Sequence, residues 1–210
     1  MNTTSPDSAG NYRPHTLGEF AELTPEEVGR RFLNLIESLK SFDELSSDRV
    51  REVTQLPMVI PPSDTDDGFL TMSLPESGWQ YSFSYSINAQ YPRYTNAAIE
   101  FSNIKDDRAD MAAVCGIDFN AYVSELKRMG FLEREDMAQY DTVPPLPVYI
   151  DGDVNGRVEW SQAQFRRIPT YFFSRGNVIV SIRQQREADA PDAKLYHACV
   201  ESIGISRAGG

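Results

Sequence analysis

The chain has 210 residues with a formal net charge of −11, and 40% of its residues are hydrophobic. This length and composition predict one globular unit with a sizeable core. The negative charge argues against nucleic acid as a partner and favours a basic protein. There is no apolar run of about 18 residues, and the first residues lack the charged and apolar regions of a signal peptide, so we expect no membrane contact and a cytosolic location.

The N-terminal part divides into a flexible arm and the start of a folded domain. Residues 1–16 are polar and aperiodic, which indicates the arm. A helix is predicted from Pro25, because Thr24 fits the N-cap and Glu27 the third helical position of a capping box. A second short helix is predicted after Ser47, taken as its N-cap, and before Pro57. We expect one domain over 17–210, in which 17–104 and 105–210 could be two related halves.

Strands dominate the middle of the chain. Residues 79–87 alternate between large apolar and polar side chains, and only a β-strand sorts such a pattern onto two faces. The apolar face predicts core, although aromatic side chains could instead stack on nucleic-acid bases. Flanking strands are predicted at 69–74 and 94–104, the latter joined to 79–87 by a hairpin through 88–93.

The C-terminal half predicts a helix, more strands and a last helix. Asp118 and Gly130 bound an apolar stripe of helical period. Strands are predicted at 148–150 and from Arg157, and a hairpin is predicted over 171–182. We expect the last helix to run from Pro191 to Gly204 and to bury Leu195, Cys199, Val200 and Ile203. The chain is therefore α+β, with a mainly antiparallel sheet and helices packed on one face.

The two cysteines, Cys115 and Cys199, are too few for a disulfide framework, so no structural disulfide is expected. With His15 and His197 they are also the only soft metal ligands. On a helix His197 and Cys199 would point about 200° apart, which argues against a zinc site. No cofactor is expected.

The segment Asp151–Gly156 has the spacing of a calcium loop, with Asp151, Asp153 and Asn155 as weak metal candidates. Its twelfth position is Gln162, where calcium loops have a bidentate Glu. Asp-Gly and Asn-Gly pairs also favour hairpin turns, so we expect a structural strand connection.

Catalytic motifs are sparse. Ser124 and Lys127 fit an S-x-x-K motif without its companions, and two histidines offer little to acid–base catalysis. No catalytic residue is therefore predicted. The segment 157–186 contains six arginines and a single acid, and phosphate binding is the use we consider for it.

Acidic residues of predicted loops and helix ends form the expected partner-binding set, since a basic partner would meet them. This set is Asp64, Asp66, Asp67, Asp106, Asp107, Asp110, Glu133, Glu135 and Asp136.

The stretch Leu23-Thr24-Pro25-Glu26-Glu27-Val28-Gly29-Arg30-Arg31-Phe32, continued through Val53-Thr54-Gln55-Leu56-Pro57, resembles the opening of small immunity proteins encoded beside bacterial polymorphic and type VI secreted toxins. The resemblance implies a cytosolic, non-enzymatic antitoxin that binds a cognate toxin and blocks its active site. Two alternatives stay open: a carboxylate-based or metal-assisted hydrolase or transferase, and a secretion adaptor or chaperone.

Overall fold

The computed structural model describes residues 12–62, 66–105, 109–135, 139–142, 147–149, 158–160, 167–185 and 199–208. Three α-helices lie within these ranges: α1 Pro25–Ser38, α2 Ser47–Thr54 and α3 Phe119–Arg128. Single 3-10 turns cover Phe42–Glu44, Pro92–Tyr94 and Met111–Ala113.

The strands are β1 His15–Thr16, β2 Asp67–Leu74, β3 Trp79–Ser86, β4 Asn96–Asn103, β5 Leu132–Glu133, β6 Gln139–Thr142, β7 Pro147–Tyr149, β8 Val158–Trp160, β9 Arg167–Arg175, β10 Val178–Gln185 and β11 Cys199–Arg207. Among the described residues, nine of them form one sheet in the order β1-β2-β3-β4-β11-β10-β9-β5, with β6 also on β9. All pairs are antiparallel except β1 with β2. The predicted α+β class is confirmed.

The predicted starts of the helices agree with the structure closely. The side chain of Thr24 accepts a hydrogen bond from the backbone N–H of Glu27, as expected of an N-cap. The N-cap of α2 is Ser46, one residue earlier than predicted. Gly130 follows α3 with φ +84°, and the next N–H returns to the carbonyl of Leu126, which ends the helix in the expected left-handed cap.

Strand β3 carries the centre of the core. Its side chains alternate between buried and half-buried positions, so the expected core face is confirmed and is not a stacking platform. The ring of Phe83 meets the ring of Phe32 on α1 edge-on, with 5.7 Å between centroids. Two polar atoms of this face also find partners, because the indole of Trp79 donates to the carbonyl of Asp110 and the hydroxyl of Tyr81 to that of Leu23.

The predicted C-terminal helix is wrong over 199–204, because these residues belong to strand β11 between β4 and β10. Pro191 and Leu195 lie outside the described residues. A β-bulge explains the error. Arg183 pairs with Ser202 and Gln184 with Val200, so Glu201 is an extra residue in the ladder. Val200 and Ile203 are therefore three apart and both buried in the core cluster, a spacing that resembles a helical stripe.

The expectation of no structural disulfide is also wrong. Cys115, in the loop before α3, is bonded to Cys199 at the start of β11, with 5.5 Å between their Cα atoms. The bond joins the sheet to the loop that packs on the first turn of α1: a Cβ on Gly116 would lie 2.5 Å from the backbone nitrogen of Glu26. One covalent link thus ties strand β11 to the loop that lies between the first turn of α1 and the start of α3.

The predicted flexible arm is attached to the sheet at its C-terminal end. His15 and Thr16 pair with Met72 and Ser73 of β2. Residues 1–11 lie outside the described part of the chain. The folded unit therefore begins before residue 17.

Reduction of the disulfide should lower the free energy of unfolding substantially. The cross-linked cysteines are 84 residues apart, and closing a loop of that length removes about 4.5 kcal/mol of chain entropy from the unfolded state. Urea unfolding with and without a thiol reductant measures this difference. The double variant Cys115→Ser/Cys199→Ser is the control, since its stability should not respond to the reductant. A wild-type protein equally indifferent to reductant would contradict the assignment.

Candidate partner-binding surface

The structure does not gather the predicted acidic set on one face. Asp66 and Asp67 lie at one end of β3, where the carbonyl of Asp66 accepts from the N–H of Ile87 and Asp67 pairs with Ser86. Asp110 lies at the other end, against Trp79. Eight strand residues separate these ends, a distance of about 25 Å at 3.3 Å per residue.

The other acids are equally dispersed or not described. Glu133 is on β5, at the far edge of the sheet, and pairs with Lys127 at 3.7 Å. Glu135 follows it and is exposed. Asp64, Asp106, Asp107 and Asp136 lie outside the described residues. Of the described acids in the set, Asp66 and Asp67 are the two that lie side by side.

The calcium-like loop itself lies outside the described residues, together with Asp151, Asp153 and Asn155. The strands on either side of it, β7 and β8, are described. They pair antiparallel, and Tyr149 and Val158 form the pair nearest to the loop. The strands predicted on either side of the loop thus pair with each other, while the role of the loop itself stays a prediction. Within the described ranges there is no group of three or more His, Cys, Asp or Glu side chains placed to hold a metal ion.

The other chemical motifs are occupied by structural contacts. Cys115 and Cys199 are joined to each other. His15 packs its ring on Phe20, while His197 lies outside the described residues. Ser124 donates to the carbonyl of Asn120 within α3, and Lys127 lies 3.7 Å from the carboxylate of Glu133.

The described arginines of the arginine-rich segment make contacts within the fold. Arg175 donates to the carbonyls of Met129, Ile36 and Leu39, and its guanidinium lies 4.5 Å from the ring centroid of Phe131. Arg183 lies 3.4 Å from the carboxylate of Glu201. The side chain of Arg167 is not described, and Arg157, Arg166 and Arg186 lie outside the described residues.

A groove of about 700 Å³ runs between α1 and α3. Charged side chains line it and form ion pairs: Arg30 meets Glu26 at 2.7 Å, and Arg128 meets Glu125 at 2.8 Å. Arg128 also meets Glu37 of α1, outside the lining, at 3.0 Å. Hydrogen bonds to these carboxylates raise the pKa of Arg128. The groove is thus a solvated, ion-paired surface, and pockets that bind small molecules are mostly apolar.

The connection between β3 and β4, residues 88–95, presents a different kind of surface, which we call the aromatic loop. Internal hydrogen bonds hold its backbone. The side chain of Asn88 accepts from the N–H of Tyr91 at 2.7 Å, and the hydroxyl of Thr95 accepts from the N–H of Asn88 at 2.8 Å. Thr95 is only 5% exposed. These contacts tie the two ends of the loop together and pre-organise it.

Large side chains of this loop point into solvent. Tyr91 is 48% exposed and Tyr94 55%, with their ring centroids 6.2 Å apart and edge-on. The guanidinium of Arg93 lies 4.8 Å from the centroid of Tyr94. Tyrosine and arginine are the residues most enriched where protein partners meet. The aromatic loop is therefore the best candidate site.

The sequence contained a signal for this site that periodicity does not capture. Turns between strands favour Gly, Pro, Asn, Asp and Ser, whereas this one places the large residues Tyr91, Arg93 and Tyr94 around Pro92. Such large side chains in a turn have no core to enter. The composition of the turn, and not the charge of the loops, is the sequence feature that marks this candidate site.

Comparison of this chain with protein-family models, with curated proteins and with solved structures finds no match. Of the described helices, none has the length and apolar character needed to cross a membrane.

Replacing Arg175 should lower the free energy of unfolding, because its guanidinium holds parts of the fold together. Arg175→Ala removes three hydrogen bonds from one cation, and we expect a loss of about 3 kcal/mol in the free energy of unfolding. Arg175→Lys should lose less, because an ammonium group still donates but cannot span the same carbonyls. Arg30→Ala, which breaks an exposed helix pair, is the matched control with little expected change. An Arg175→Ala protein as stable as this control would refute the bridging role.

Proposed function

We propose that this protein is a non-enzymatic binding protein that acts through the aromatic loop, and specifically an immunity protein that binds a cognate secreted bacterial toxin and blocks its active site. The observation that carries the proposal is the exposed Tyr91-Pro92-Arg93-Tyr94 turn on a backbone held by Asn88 and Thr95.

The energetics of this loop suit protein recognition. Tyrosine offers a large contact area at the cost of two side-chain torsions, so little entropy is lost when it is buried by a partner. A loop already held in its bound shape avoids a further ordering cost. Arg93 adds a cation that can pair with a carboxylate or carbonyl of the partner.

Two acidic residues lie beside the aromatic loop and would form a charged rim around it. Asp66 and Asp67 flank the start of the aromatic loop, since the carbonyl of Asp66 accepts from Ile87 and Asp67 pairs with Ser86. An apolar and aromatic centre with a charged rim is the usual anatomy of a specific interface. With a net charge of −11, the chain would steer a basic toxin toward this rim.

The proposal of an immunity protein rests on the aromatic loop and also on the resemblance of residues 23–57 to such proteins. The cytosolic location rests on that resemblance and on the expectation drawn from the sequence, which has no apolar run of about 18 residues. The disulfide between Cys115 and Cys199 weighs against it, because such bonds persist mainly in oxidising compartments. Alkylation of free thiols at the moment of cell lysis would show which compartment holds the protein: in a reducing cytosol both cysteines would be modified.

The decisive experiment is binding to the product of the gene beside this one. We expect Tyr94→Ala to weaken the complex about 30-fold, which corresponds to about 2 kcal/mol for a central interface residue. Calorimetry or surface plasmon resonance measures the change. Leu132→Ala is the matched control, since Leu132 is 72% exposed on the distant β5 edge. Equal affinities for the two variants, or no binding by the wild type, would reject this function.

A second prediction concerns the rate of association. Charge reversal at Asp66 and Asp67 should slow association and reduce its dependence on salt, because rim charges act mainly on the encounter. Stopped-flow mixing at low and physiological ionic strength tests this. Glu135→Lys is the control, because it reverses one charge in the same way but follows β5 at the far edge of the sheet. If all variants associate at the same rate, steering by the two aspartates is disproved.

A further inference from the structure

Arg93 in the aromatic loop has no anionic partner, although the chain is rich in acids. The other arginines whose side-chain contacts the structure describes pair with a carboxylate, as Arg30 does with Glu26, or donate to carbonyls, as Arg175 does. Among the described residues, Arg93 makes no such hydrogen bond or ion pair and lies on the ring of Tyr94 instead. The chain has 31 acidic residues against 20 Lys and Arg, so a shortage of carboxylates does not explain this exception.

The sequence around Arg93 keeps acids away from it. Residues 77–99 span β3, the aromatic loop and the first part of β4, and Arg93 is the one charged residue among them. The loop does not use this cation to hold its own backbone. Its turn is closed by the N–H of Tyr94, which donates to the carbonyl of Tyr91 at 2.9 Å, and by the side chain of Asn88. The donors of Arg93 are therefore available to a ligand.

The ring of Tyr94 fixes the place of the guanidinium of Arg93. The Cζ atom lies over the ring, 4.8 Å from its centroid, a contact that combines cation–π attraction with stacking of two planar groups. Stacking uses the flat face of the guanidinium, whereas its five N–H donors lie in its plane. A carboxylate can accept two parallel hydrogen bonds from that edge while the stack persists. Because the arginine is already held, less side-chain entropy is lost when a ligand binds.

We propose that the stacked pair Arg93 and Tyr94 recognises a side-chain carboxylate, of Asp or Glu, on the protein partner. This inference rests on the proposed function, since it takes the aromatic loop as the binding surface. A carboxylate matches both the charge and the paired donors of the guanidinium, whereas a carbonyl matches the donors alone. A phosphate would also match, but a net charge of −11 and a single cation in 77–99 disfavour a nucleic acid.

This pairing specifies the charge pattern of the partner. Its surface should be basic where it meets Asp66 and Asp67, and it should carry one acid opposite Arg93. Such alternation of charge fixes the orientation of two proteins and rejects partners of the wrong pattern, because like charges would then face each other.

A peptide selection tests the carboxylate without the natural partner. Displayed random peptides are panned on the full-length wild type and on Arg93→Gln, which removes the charge and the paired donors. Peptides retained by the wild type and not by the variant should contain Asp or Glu. Measured by fluorescence anisotropy, these peptides should bind Arg93→Gln at least about tenfold more weakly, the loss expected for hydrogen bonds to a charged group. Lys40→Gln removes the same charge from an exposed side chain outside the loop, so this control should bind as the wild type does.

A double-mutant cycle then pairs the two groups. Changing the acid of a selected peptide to its amide should cost the same tenfold with the wild type and little more with Arg93→Gln. Circular dichroism checks that each variant is folded, and a labelled single-stranded DNA oligonucleotide serves as the phosphate probe. Selected peptides without an acid, no peptide that distinguishes wild type from Arg93→Gln, or DNA binding that depends on Arg93 would each overturn the proposal.

Failure of this inference differs from failure of the proposed function. If Tyr94→Ala weakens the complex with the product of the neighbouring gene and Arg93→Gln does not, the carboxylate is excluded while the function stands. If the wild type does not bind that product, the function is rejected, and the peptides still decide whether Arg93 recognises a carboxylate.

Discussion

The guanidinium of Arg175 joins the sheet to the C-terminal ends of helices α1 and α3. It lies at the end of β9 and donates to carbonyls of Ile36 and Leu39 at the end of α1, and of Met129 at the end of α3. The last carbonyls of a helix have no partners within the helix, and they form the negative end of its dipole. Helix α1 has no basic residue in its last turn. One arginine from the sheet supplies the missing donors, and the ring of Phe131 covers its other side.

The disulfide links the sheet to the N-terminal ends of α1 and α3, as Arg175 links it to their C-terminal ends. Cys115 precedes α3 and lies beside Gly116, whose missing side chain lets the loop touch the first turn of α1. Cys199 begins β11, the strand that joins β4 to the β9–β10 hairpin. Both ends of the helical layer are thus fixed to the sheet. A rigid scaffold of this kind is what allows a connecting loop such as 88–95 to hold its exposed side chains in one arrangement.

Local patterns predicted the fold well where local physics determines it. The cap at Thr24, the alternation of β3 and the left-handed Gly130 each depend on residues within one turn or one strand, and all three are confirmed. The failures involve long-range pairing. A strand with a bulge at Glu201 has the spacing of a helix. The partner of Cys115 is 84 residues away, so no local pattern could identify it. The same limit applies to Arg175, whose role depends on helix ends far from it in sequence.

The charge of the chain did not predict the position of the candidate site. Charge acts over about 10 Å in salt and sets the rate of encounter, so an acidic chain indicates a kind of partner without indicating a face. The described acids are dispersed over both ends and one edge of the sheet. Affinity comes instead from a few desolvated anchors, and these require large side chains that the core does not take up. Tyr91 and Tyr94 meet that condition because β3 turns into β4 through a loop whose hydrogen bonds are satisfied by Asn88 and Thr95. The backbone needs nothing from the tyrosines, which leaves both rings available to a partner.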